Sequence, residues 1–456
     1  MLIRAGRAPV LFVSAGLLQP KKRDHALARR QLYLNYGALG LASLCQRNGL
    51  QTLLVHGEHE APDALAERLY WQGLLRADAP LMLSMTSFYA LEWARLFCRA
   101  VKDLAPWVRI VLGGRWVTGP DSEWLQSKLP QVDQIVQGLG EDLLPTLLAF
   151  DGPWDGRGCG LNHLLVEGHR RYQPSIETSR GCGKGCVFCE ERDVPLQKLK
   201  APELIVDELR QLADDYDDHG IRPYFQSSFF LPNPRWAQAL AEQVQRCDTR
   251  IHWRCESRVD GIKPDTVKSL AAAGMKVIDL GLESAAPRQI LAMNKARDPT
   301  RYLQSASELL QACASHGIWV KVNVLLYAGE TAATLEQTRQ WLDEHAQCIK
   351  GVSVGPVVVY GPPRHSAGFL AQLQAQGATP VDPASAQHCG ITQLNLSPEL
   401  DAAQVERESL ALSRRYMRKQ DYLDLKRFSY YPRDYSEQAF EADVAASDAA
   451  CLPFRP

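Results

Sequence analysis

Residues 180–189 read Arg-Gly-Cys-Gly-Lys-Gly-Cys-Val-Phe-Cys, a stretch with three cysteines in the spacing C-x3-C-x2-C. The cysteines are Cys182, Cys186 and Cys189. Three thiolates at this spacing suit a cubane cluster of four irons, in which one iron has no protein ligand. Clusters that only carry electrons are closed by four cysteines. The open iron therefore predicts a place where a small molecule binds and reacts.

Two other interpretations of these cysteines compete with the cluster. A structural zinc site usually pairs two C-x2-C knuckles, and the sequence has no second knuckle. Disulfides are rare in intracellular proteins, and the N-terminal residues predict a short strand rather than a secretory signal. The other nine of the 12 cysteines are scattered singly, which is typical of buried small hydrophobic residues. The pattern therefore favours the cluster.

The cysteine spacing, the glycines around it and Phe188 resemble the radical S-adenosylmethionine (radical SAM) superfamily. In that superfamily the amino and carboxylate groups of S-adenosylmethionine chelate the open iron. The reduced cluster then splits the sulfonium and releases a 5′-deoxyadenosyl radical. The resemblance implies a [4Fe-4S] cluster and S-adenosyl-L-methionine as cofactors. It also implies that the three cysteines are both metal ligands and catalytic residues.

Length and composition describe an ordinary globular chain. At 456 residues it is expected to form two or three domains. A net charge of −1 predicts no attraction to nucleic acid or to an anionic membrane surface. No apolar run approaches the ~20 residues that cross a bilayer, so we predict a cytoplasmic protein. The expected partners are a small-molecule substrate and an electron donor such as flavodoxin or ferredoxin.

Residues 1–150 alternate short apolar runs with helical patterns, which predicts an α/β domain with a Rossmann-like open parallel sheet. A helix over Leu39–Arg47 is predicted to end at Asn48-Gly49, a common helix stop. Ligands of such sheets bind beyond the carboxyl ends of the strands. The predicted strands are Val10–Val13, Thr52–Val55, Leu81–Met85, Arg109–Leu112 and Val132–Val136.

Four segments near these strand ends make the domain resemble the cobalamin-binding domain that precedes many radical SAM domains. They are Tyr36–Ala42 (Tyr-Gly-Ala-Leu-Gly-Leu-Ala), Leu83–Thr86 (Leu-Ser-Met-Thr), Val111–Gly114 (Val-Leu-Gly-Gly) and Gly138–Glu141 (Gly-Leu-Gly-Glu). The resemblance implies Ser84, Gly113 and Gly114 as cofactor contacts. It leaves open whether cobalamin is bound.

Two departures from the cobalamin-binding pattern concern the cobalt itself. The D-x-H-x-x-G motif, whose histidine binds cobalt in the best-known domains, is absent. We predict that His56 is a polar turn residue rather than a cobalt ligand. Trp116, which follows the glycine pair, would either cover a corrin face or fill a pocket that no longer holds one.

The rest of the chain predicts a linker, a barrel and an extension. Residues 151–172 are rich in glycine and predict a linker, and residues 173–363 predict six βα units. Six units fall short of a closed barrel of eight and match the partial barrel of the radical SAM fold, whose cluster loop follows the first strand. Residues 364–456 predict a short, mainly helical extension with an aromatic tail, Tyr422–Tyr435, that closes the barrel's open side. The predicted strands are Ser175–Ser179, Tyr224–Ser228, Ile251–Glu256, Val277–Leu282, Val320–Leu326 and Val352–Val358, and the predicted helices are Pro202–Tyr216, Trp236–Arg246, Lys263–Ala273, Arg301–His316, Ala367–Gln376 and Ala403–Lys419.

Polar residues near the barrel strand ends are the candidate cofactor contacts, because active sites of barrels lie at the carboxyl ends of strands. Gln226 and Ser228 stand where relatives carry acidic residues for the amino group of S-adenosylmethionine. Arg258 pairs either with a carboxylate of cofactor or substrate or with a neighbouring strand end. The resemblance implies that Glu283 or Ser284 binds ribose. It also implies that Glu330 lies near adenine, and for Glu330 a purely structural turn is the alternative. Tyr224 and Tyr327 are candidate hydrogen-atom or proton donors.

Three enzymatic hypotheses follow from the resemblance. In the first, methylcobalamin donates a methyl group to a substrate carbon radical. In the second, the N-terminal domain carries no corrin and the radical drives dehydration, dehydrogenation or rearrangement of a small substrate. The third is an RNA methylthiotransferase. The sequence shows neither the second three-cysteine cluster nor the basic C-terminal module of that class. A non-catalytic metal-binding protein is the remaining alternative.

Overall fold

The computed structural model describes residues 9–21, 25–158, 160–218, 220–246 and 251–455. The first domain is a five-stranded parallel sheet in the order β2-β1-β3-β4-β5. This is a doubly wound order, and its direction reverses between β1 and β3. The strands are β1 (Val10–Ser14), β2 (Thr52–His56), β3 (Leu81–Ser84), β4 (Ile110–Gly113) and β5 (Gln134–Ile135).

Helices cover both faces of this sheet, so alternate residues of a strand enter different cores. In β1, Leu11 and Val13 pack into one core while Val10 and Phe12 pack into the other. A strand buried on both sides is continuously apolar, as β1 is. The helices are α1 (Ala26–Arg29), α2 (Tyr36–Arg47), α3 (Pro62–Trp71), α4 (Leu91–Leu104), α5 (Arg115–Thr118), α6 (Ser122–Lys128) and α7 (Leu144–Leu147).

The predicted linker packs against this first domain. Val166 forms an isolated parallel bridge with Leu54 of the edge strand β2. Glu167 accepts two hydrogen bonds of 2.9 Å from Arg68 of α3. Two short 3-10 turns, His163–Leu165 and His169–Arg171, lead into the second domain.

The second domain is a six-stranded parallel sheet in the order β11-β10-β9-β8-β7-β6, in which each strand lies beside its sequence neighbour. Proline at the first turn begins several of its helices, a position where its missing N–H has no cost. The strands are β6 (Ser175–Glu177), β7 (Tyr224–Gln226), β8 (Trp253–Arg258), β9 (Met275–Glu283), β10 (Trp319–Leu326) and β11 (Gly351–Pro356). The helices are α8 (Pro202–Tyr216), α9 (Pro234–Gln245), α10 (Pro264–Ala272), α11 (Pro287–Ala292), α12 (Pro299–Ser315) and α13 (Ala332–Glu344).

The outer and inner faces of this sheet differ in chemistry. On β8, Trp253 and Cys255 enter the apolar core under the helices, and the Trp253 ring stacks on Phe225 with centroids 4.3 Å apart. Arg254 alternates with them on the inner face, where it pairs with Asp279 of β9 at 2.6 Å. The inner face is therefore polar where the outer face is apolar.

The C-terminal extension covers the edge and the base of the barrel. Its helix α16 packs along the edge strand β11. At the base, Arg254 donates a 2.7 Å hydrogen bond to the carbonyl oxygen of Leu425. The helices are α14 (Pro363–Gln374), α15 (Ser385–Cys389), α16 (Ala402–Tyr416), α17 (Lys419–Arg427) and α18 (Glu437–Ala445), with the short strands β12 (Val359–Tyr360), β13 (Thr379–Pro380), β14 (Ile391–Thr392) and β15 (Leu394–Asn395).

The sequence predictions agree with this fold at the level of elements and differ in detail. Every predicted strand is present, and α8 has the predicted bounds, but α11 and α13 were not predicted. The predicted helix Ala403–Lys419 is wrong at its end, because Met417 is extended (φ −131°, ψ 114°). Its carbonyl oxygen accepts a 3.0 Å hydrogen bond from the amide of Arg455, which draws the backbone out of the helix. No helix of the described residues is long and apolar enough to cross a membrane.

Candidate cluster and cofactor site

The cysteine loop leaves the end of β6 and is shaped by three glycines in the left-handed region. Gly181, Gly183 and Gly185 have φ values of 77°, 64° and 73°. A Cβ on Gly181 would lie 2.1 Å from the carbonyl oxygen of Pro195, so only glycine fits there. The amide of Cys182 donates a 2.9 Å hydrogen bond to the carbonyl oxygen of Val194, which closes the loop.

The three cysteine sulfurs sit in a partly buried, donor-rich setting. Arg258 donates a hydrogen bond of 3.0 Å to Sγ of Cys186, and the amide of Glu191 donates one of 3.4 Å to Sγ of Cys189. Burial raises the pKa of the Cys182 thiol and raises that of Cys189 to about 11. A metal binds the thiolate and lowers its pKa, so these sulfurs would ionise on metal binding.

The loop fits a cubane cluster. Among the residues that the structure describes, no three His, Cys, Asp or Glu side chains converge on a point where one metal ion would bind. A cubane does not require this convergence, because each cysteine binds a different iron. Hydrogen bonds from the protein to its sulfurs set the reduction potential, and Arg258 and the Glu191 amide already supply two.

Arg258 ends β8 and connects the cysteine loop to the barrel. It binds Asp260 through two hydrogen bonds of 2.8 and 3.1 Å and also donates to the carbonyl oxygen of Lys295 at 2.5 Å. Asp260 lies in the turn that follows β8 itself, so this pair differs from the predicted one with a neighbouring strand end. The contact of Arg258 with Cys186 was not predicted.

The residues after β7 offer neutral polar groups near the loop. Gln226 lies opposite Glu177 in the sheet, and its amide donates a 3.0 Å hydrogen bond to the hydroxyl of Ser175. Ser227 shares a 2.6 Å hydrogen bond with Ser179, just before the cysteine loop. Ser228 is exposed. The role of Gln226 and Ser228 in holding S-adenosylmethionine stays a prediction.

At the end of β9, Glu283 and Ser284 point in different directions. Glu283 adopts a left-handed conformation with φ 63°, which is uncommon for a residue with a side chain and concentrates at functional sites. Its carboxylate pairs with Lys295 at 2.8 Å. Ser284 instead faces α13, where its hydroxyl lies 3.1 Å from that of Thr338. Of the two predicted ribose contacts, only Glu283 lies at the mouth.

The residues after β10 are buried inside the fold rather than at its mouth. The Glu330 carboxylate accepts a 2.5 Å hydrogen bond from the Thr334 hydroxyl, and burial raises its pKa to about 6. This geometry favours the structural turn that the sequence left as the alternative. Tyr327 is fully buried in the barrel core, and its hydroxyl has no hydrogen-bond partner among the described residues.

Tyr224 lies at the amino end of β7, opposite Arg254 in the sheet. The cluster loop follows the other end of the neighbouring strand β6, so Tyr224 is remote from the sulfurs. Tyr224 therefore lies close to a strand end, as predicted, but at the amino end rather than at the carboxyl end that faces the cluster loop. The Arg254 guanidinium carbon lies 6.0 Å from the centre of its ring.

The carboxyl edge of the first sheet is held together by Asn35, the N-cap of α2. Its side-chain amide donates hydrogen bonds of 3.0 Å to the hydroxyls of Ser14 and Ser84. These residues end β1 and β3, the two strands between which the sheet reverses direction. The crevice where doubly wound sheets bind their ligands is therefore lined by Asn35 and Ser84.

His56 is the last residue of β2 and is buried, so the prediction of a polar turn residue is wrong in its placement. Its Nε2 accepts a 3.0 Å hydrogen bond from the amide of Asn35. Its Nδ1 is buried and has no hydrogen-bond partner among the described residues. Burial lowers its pKa to about 4. Nε2 is occupied by the Asn35 amide and Nδ1 is buried, so neither ring nitrogen is exposed to a cobalt ion in the crevice.

Beyond β4 and β5 the glycines leave space for a ligand. A Cβ on Gly113 or on Gly138 would meet no atom within 4 Å. A Cβ on Gly114 would lie 1.9 Å from the carbonyl oxygen of Met85, so Gly114 shapes the turn itself. The Trp116 ring lies against the guanidinium carbon of Arg115 at 4.5 Å. The backbone at Gly113 and Gly138 therefore borders open space at the carboxyl edge of the sheet.

Two ion pairs join this crevice to the cysteine loop. Arg180 of the loop binds Glu141 of the first domain at 2.7 Å and Glu177 of β6 at 2.7 Å. Arg115, just beyond Gly114, lies 3.7 Å from Glu191 of the loop. The carboxyl edges of the two sheets thus face one another. The pairs Arg180–Glu141 and Arg115–Glu191 were not predicted, because only the domain packing brings their members together.

Comparison with known proteins identifies the barrel. Residues 176–342 match the family model of the Radical SAM superfamily. This range runs from β6 to α13 and contains the three cysteines, so the second domain is a radical SAM domain with its [4Fe-4S] and S-adenosylmethionine chemistry.

A curated relative is described as an uncharacterized methyltransferase, PH0819, of Pyrococcus horikoshii. It is 24% identical over 312 residues, which cover 59% of this chain and 65% of the relative. The match thus spans slightly less than two thirds of that protein.

Solved structures share most of this fold. The radical SAM methyltransferase TsrM from Kitasatospora setae, with tryptophan substrate and the SAM analogue aza-SAM bound, has a TM-score of 0.64 at 16% identity over 90% of both chains. Another TsrM structure contains cobalamin and a [4Fe-4S] cluster and also has a TM-score of 0.64. The cobalamin-dependent radical enzyme OxsB, with aqua-cobalamin and S-adenosylmethionine bound, has a TM-score of 0.55 at 15% identity over 73% of this chain and 52% of its own.

Residues 176–342 therefore form a radical SAM domain, and the N-terminal domain has the cobalamin-binding-type fold. The predicted fold class and the predicted enzyme class are confirmed.

Proposed function

We propose that the protein is a cobalamin-dependent radical SAM methyltransferase that methylates a carbon atom of a small biosynthetic molecule. The observation that supports this most is the placement of the open crevice over Gly113 against the cysteine loop, through the pairs Arg180–Glu141 and Arg115–Glu191. A methyl carrier and a radical source must both reach the same substrate, and this arrangement would bring them side by side. TsrM, whose fold covers 90% of this chain, is itself a methyltransferase.

Bound cofactors would supply the hard chemistry: the cluster an electron for cleavage of S-adenosylmethionine to a 5′-deoxyadenosyl radical, and the corrin a transferable methyl group. The chain's own residues bind, orient and shield. Cys182, Cys186 and Cys189 would hold the cluster, with Arg258 bonded to the second sulfur. Ser84 and Gly113 would border the corrin. The 5′-deoxyadenosyl radical would abstract a hydrogen atom from the substrate.

The electron donor is proposed to be a flavodoxin or a ferredoxin. A groove of about 930 Å³ lies beside the cysteine loop and is lined by Lys184, Arg258, Lys295, Arg297 and Arg301 among others. Six cationic and four acidic side chains line it, which suits an acidic carrier. Gly183 and Lys184 of the loop are exposed, so a docked carrier would be close to the cluster.

The test is corrin content and S-adenosylmethionine turnover of protein made anaerobically with abundant cobalamin. We expect about four irons and about one corrin per chain, and methyl transfer to the cobalt from S-adenosylmethionine. Gly113→Val should lower corrin content at least tenfold while iron content and melting temperature stay as in wild type, because its side chain enters open space. Cys186→Ala should abolish 5′-deoxyadenosine formation.

An iron–sulfur protein that takes up no corrin would overturn the methyltransferase proposal. The radical would then act without a methyl carrier, and dehydration, dehydrogenation or rearrangement of a small substrate would be the reaction class to assay. Gly113→Val with full corrin content would place the corrin elsewhere.

A further inference from the structure

The interior of the barrel holds a chamber with walls from three parts of the chain. We define the barrel chamber by Tyr33, Tyr36, Glu177, Tyr224, Glu256 and Tyr430. Tyr33 and Tyr36 precede and begin α2 of the first domain, and Tyr430 follows α17 of the extension. The rings of Tyr33 and Tyr430 are 5.3 Å apart. The guanidinium carbon of Arg254 lies 5.1 Å from the centre of the Tyr430 ring, which places Tyr430 at the base.

The chamber is enclosed and yet has internal free space. Tyr33 and Tyr36 are 58% and 38% exposed, and Glu256 is also exposed. Burial nevertheless raises the pKa of Tyr33 to about 12 and that of Glu256 to about 7. Accessible surface on groups that are surrounded by protein means that the surface borders an interior space.

Glu256 projects into this space from the middle of β8. Alternate residues of a strand share a face, so Arg254, Glu256 and Arg258 all point inward. Arg258 contacts Cys186 at 3.0 Å, and Glu256 lies two residues away, roughly 6–7 Å along the strand. Burial and then the charges of Glu177, Glu191 and Glu256 raise the pKa of Tyr36, while Arg180 lowers it, so Tyr36 lies within electrostatic range of Glu256.

The carboxylates of Asp279 and Glu177 each form an ion pair, whereas the Glu256 carboxylate forms none with the described residues. In the sheet Glu256 lies opposite Asp279, which lies opposite Lys321. Asp279 pairs with Arg254 at 2.6 Å and with Lys321 at 2.9 Å. Glu177 pairs with Arg180. Within the described part of the chain, no hydrogen bond or ion pair reaches the Glu256 carboxylate.

We propose that Glu256 binds a cationic amino group of the substrate, so that the barrel chamber takes a small primary amine. An enclosed carboxylate without a partner is unfavourable, and a ligand ammonium group would supply that partner. The faces of Tyr36, Tyr224 and Tyr430 attract a cation and also accommodate a planar ring. This inference rests on the proposed function, because it names the substrate class of that site.

S-Adenosylmethionine also carries an ammonium group, so the experiment separates the two sources. Holoenzyme with cluster and corrin is titrated anaerobically with two matched pairs of probes, tryptamine against tryptophol and tyramine against tyrosol. Each pair differs only in an ammonium or a hydroxyl group. Isothermal calorimetry gives the Kd of each probe, and S-adenosylmethionine is titrated separately into every variant.

Wild type should bind each amine at least tenfold more tightly than its alcohol. Glu256→Gln should remove that preference and leave the Kd of S-adenosylmethionine within twofold. The control Glu203→Gln, on the exposed first turn of α8, should keep both. Equal Kd values for amine and alcohol, an unchanged preference in Glu256→Gln, or no amine binding at all would overturn the proposal. An equal loss of S-adenosylmethionine affinity would assign Glu256 to the cofactor instead.

Corrin content and 5′-deoxyadenosine formation, measured on the same preparations, keep the two proposals separate. If wild type contains corrin and forms 5′-deoxyadenosine but binds amines no more tightly than alcohols, the proposed function stands and the amine site is rejected. Amine preference in a protein that takes up no corrin rejects the methyltransferase and retains the amine site.

Discussion

At the scale of the residue, Arg258 connects the cluster loop to the rest of the barrel. Its guanidinium holds Asp260 through two bonds and still has a donor for the sulfur of Cys186. The planar fork of arginine makes these contacts together, whereas the ammonium group of lysine acts as a single point charge. Arg258 is therefore a positioning residue for a cluster ligand.

Arg258→Lys should lower the midpoint potential of the cluster. A donor to a cysteine sulfur stabilises the reduced, more negative cluster, and its loss at a cost of about 1 kcal/mol corresponds to about 40 mV for one electron. Potentiometric titration followed by electron paramagnetic resonance measures the shift. Arg297→Lys, an exposed residue of the same groove, is the control. An unchanged potential in Arg258→Lys would show that the sulfur contact has no electronic role.

The second residue-scale prediction concerns pH. Burial, and then the charge of Asp279, raise the pKa of Glu256 to about 7, while Lys321 and Lys295 act in the opposite direction and Glu283 adds to the rise. The folded protein therefore holds this proton more tightly than the unfolded chain does. The stability from this proton is fully present below the carboxyl's ordinary pKa and is lost as pH rises through about 7.

Glu256→Gln should therefore melt at the same temperature as wild type near pH 4.5 and at a higher one at pH 8. After a discount for water in the chamber, we expect about 1 kcal/mol, which is about 2–4 °C for a domain of this size. Differential scanning fluorimetry across this pH range measures it. A melting difference that does not depend on pH would mean that Glu256 keeps its ordinary pKa.

At the scale of the element, the cysteine loop requires glycine at one position, Gly181. Gly181 and Gly183 are both left-handed, with φ of 77° and 64°. A Cβ on Gly181 would lie 2.1 Å from a backbone oxygen, while one on Gly183 would meet nothing nearer than 3.6 Å. Alanine would strain the backbone at both positions but would collide with another atom only at position 181, so the two substitutions separate the two effects.

Gly181→Ala should reduce bound iron several-fold, because the collision with Pro195 displaces the hydrogen bond between Cys182 and Val194. Gly183→Ala should keep most of the iron, since it adds only the roughly 1–2 kcal/mol of a left-handed alanine. Iron and sulfide analysis after anaerobic reconstitution distinguishes them. Equal iron content in the two variants would mean that the loop rearranges freely around the collision.

At the scale of the whole molecule, Arg254 joins the barrel to the C-terminal extension. It pairs with Asp279 of β9 and donates to Leu425 of α17, and it is almost fully buried. The Arg254 and Lys321 cations hold the pKa of Asp279 well below its usual range despite burial. The extension therefore closes the base of the chamber through a buried charged contact. Removal of either charged partner would destabilise the fold.

Asp279→Asn should lower the free energy of unfolding by about 3–5 kcal/mol, because it leaves a buried guanidinium without its counterion. Chemical denaturation of the reconstituted protein measures the loss. Asp214→Asn on the exposed face of α8 is the control and should change stability by less than about 0.5 kcal/mol. A similarly small effect of Asp279→Asn would mean that water or Lys321 satisfies Arg254.

The sequence by itself determined the order of elements and the fold class and predicted the cluster ligands, because these depend on local periodicity and on spacing along the chain. Cys182, Cys186 and Cys189 lie within eight residues, so their role needs no tertiary information. Strand cores such as β1 and helix stops such as Asn48-Gly49 are likewise local signals.

Only the tertiary structure decided which polar side chains share a site. Ser284 and Glu330 follow strands as predicted, but helix α13 covers both. Glu256 acts electrostatically on Tyr36 and Tyr430, though these residues are 220 and 174 positions away from it in sequence. The physical reason is that a carboxylate's partners depend on strand register and domain packing, which bring together residues with no relation in sequence.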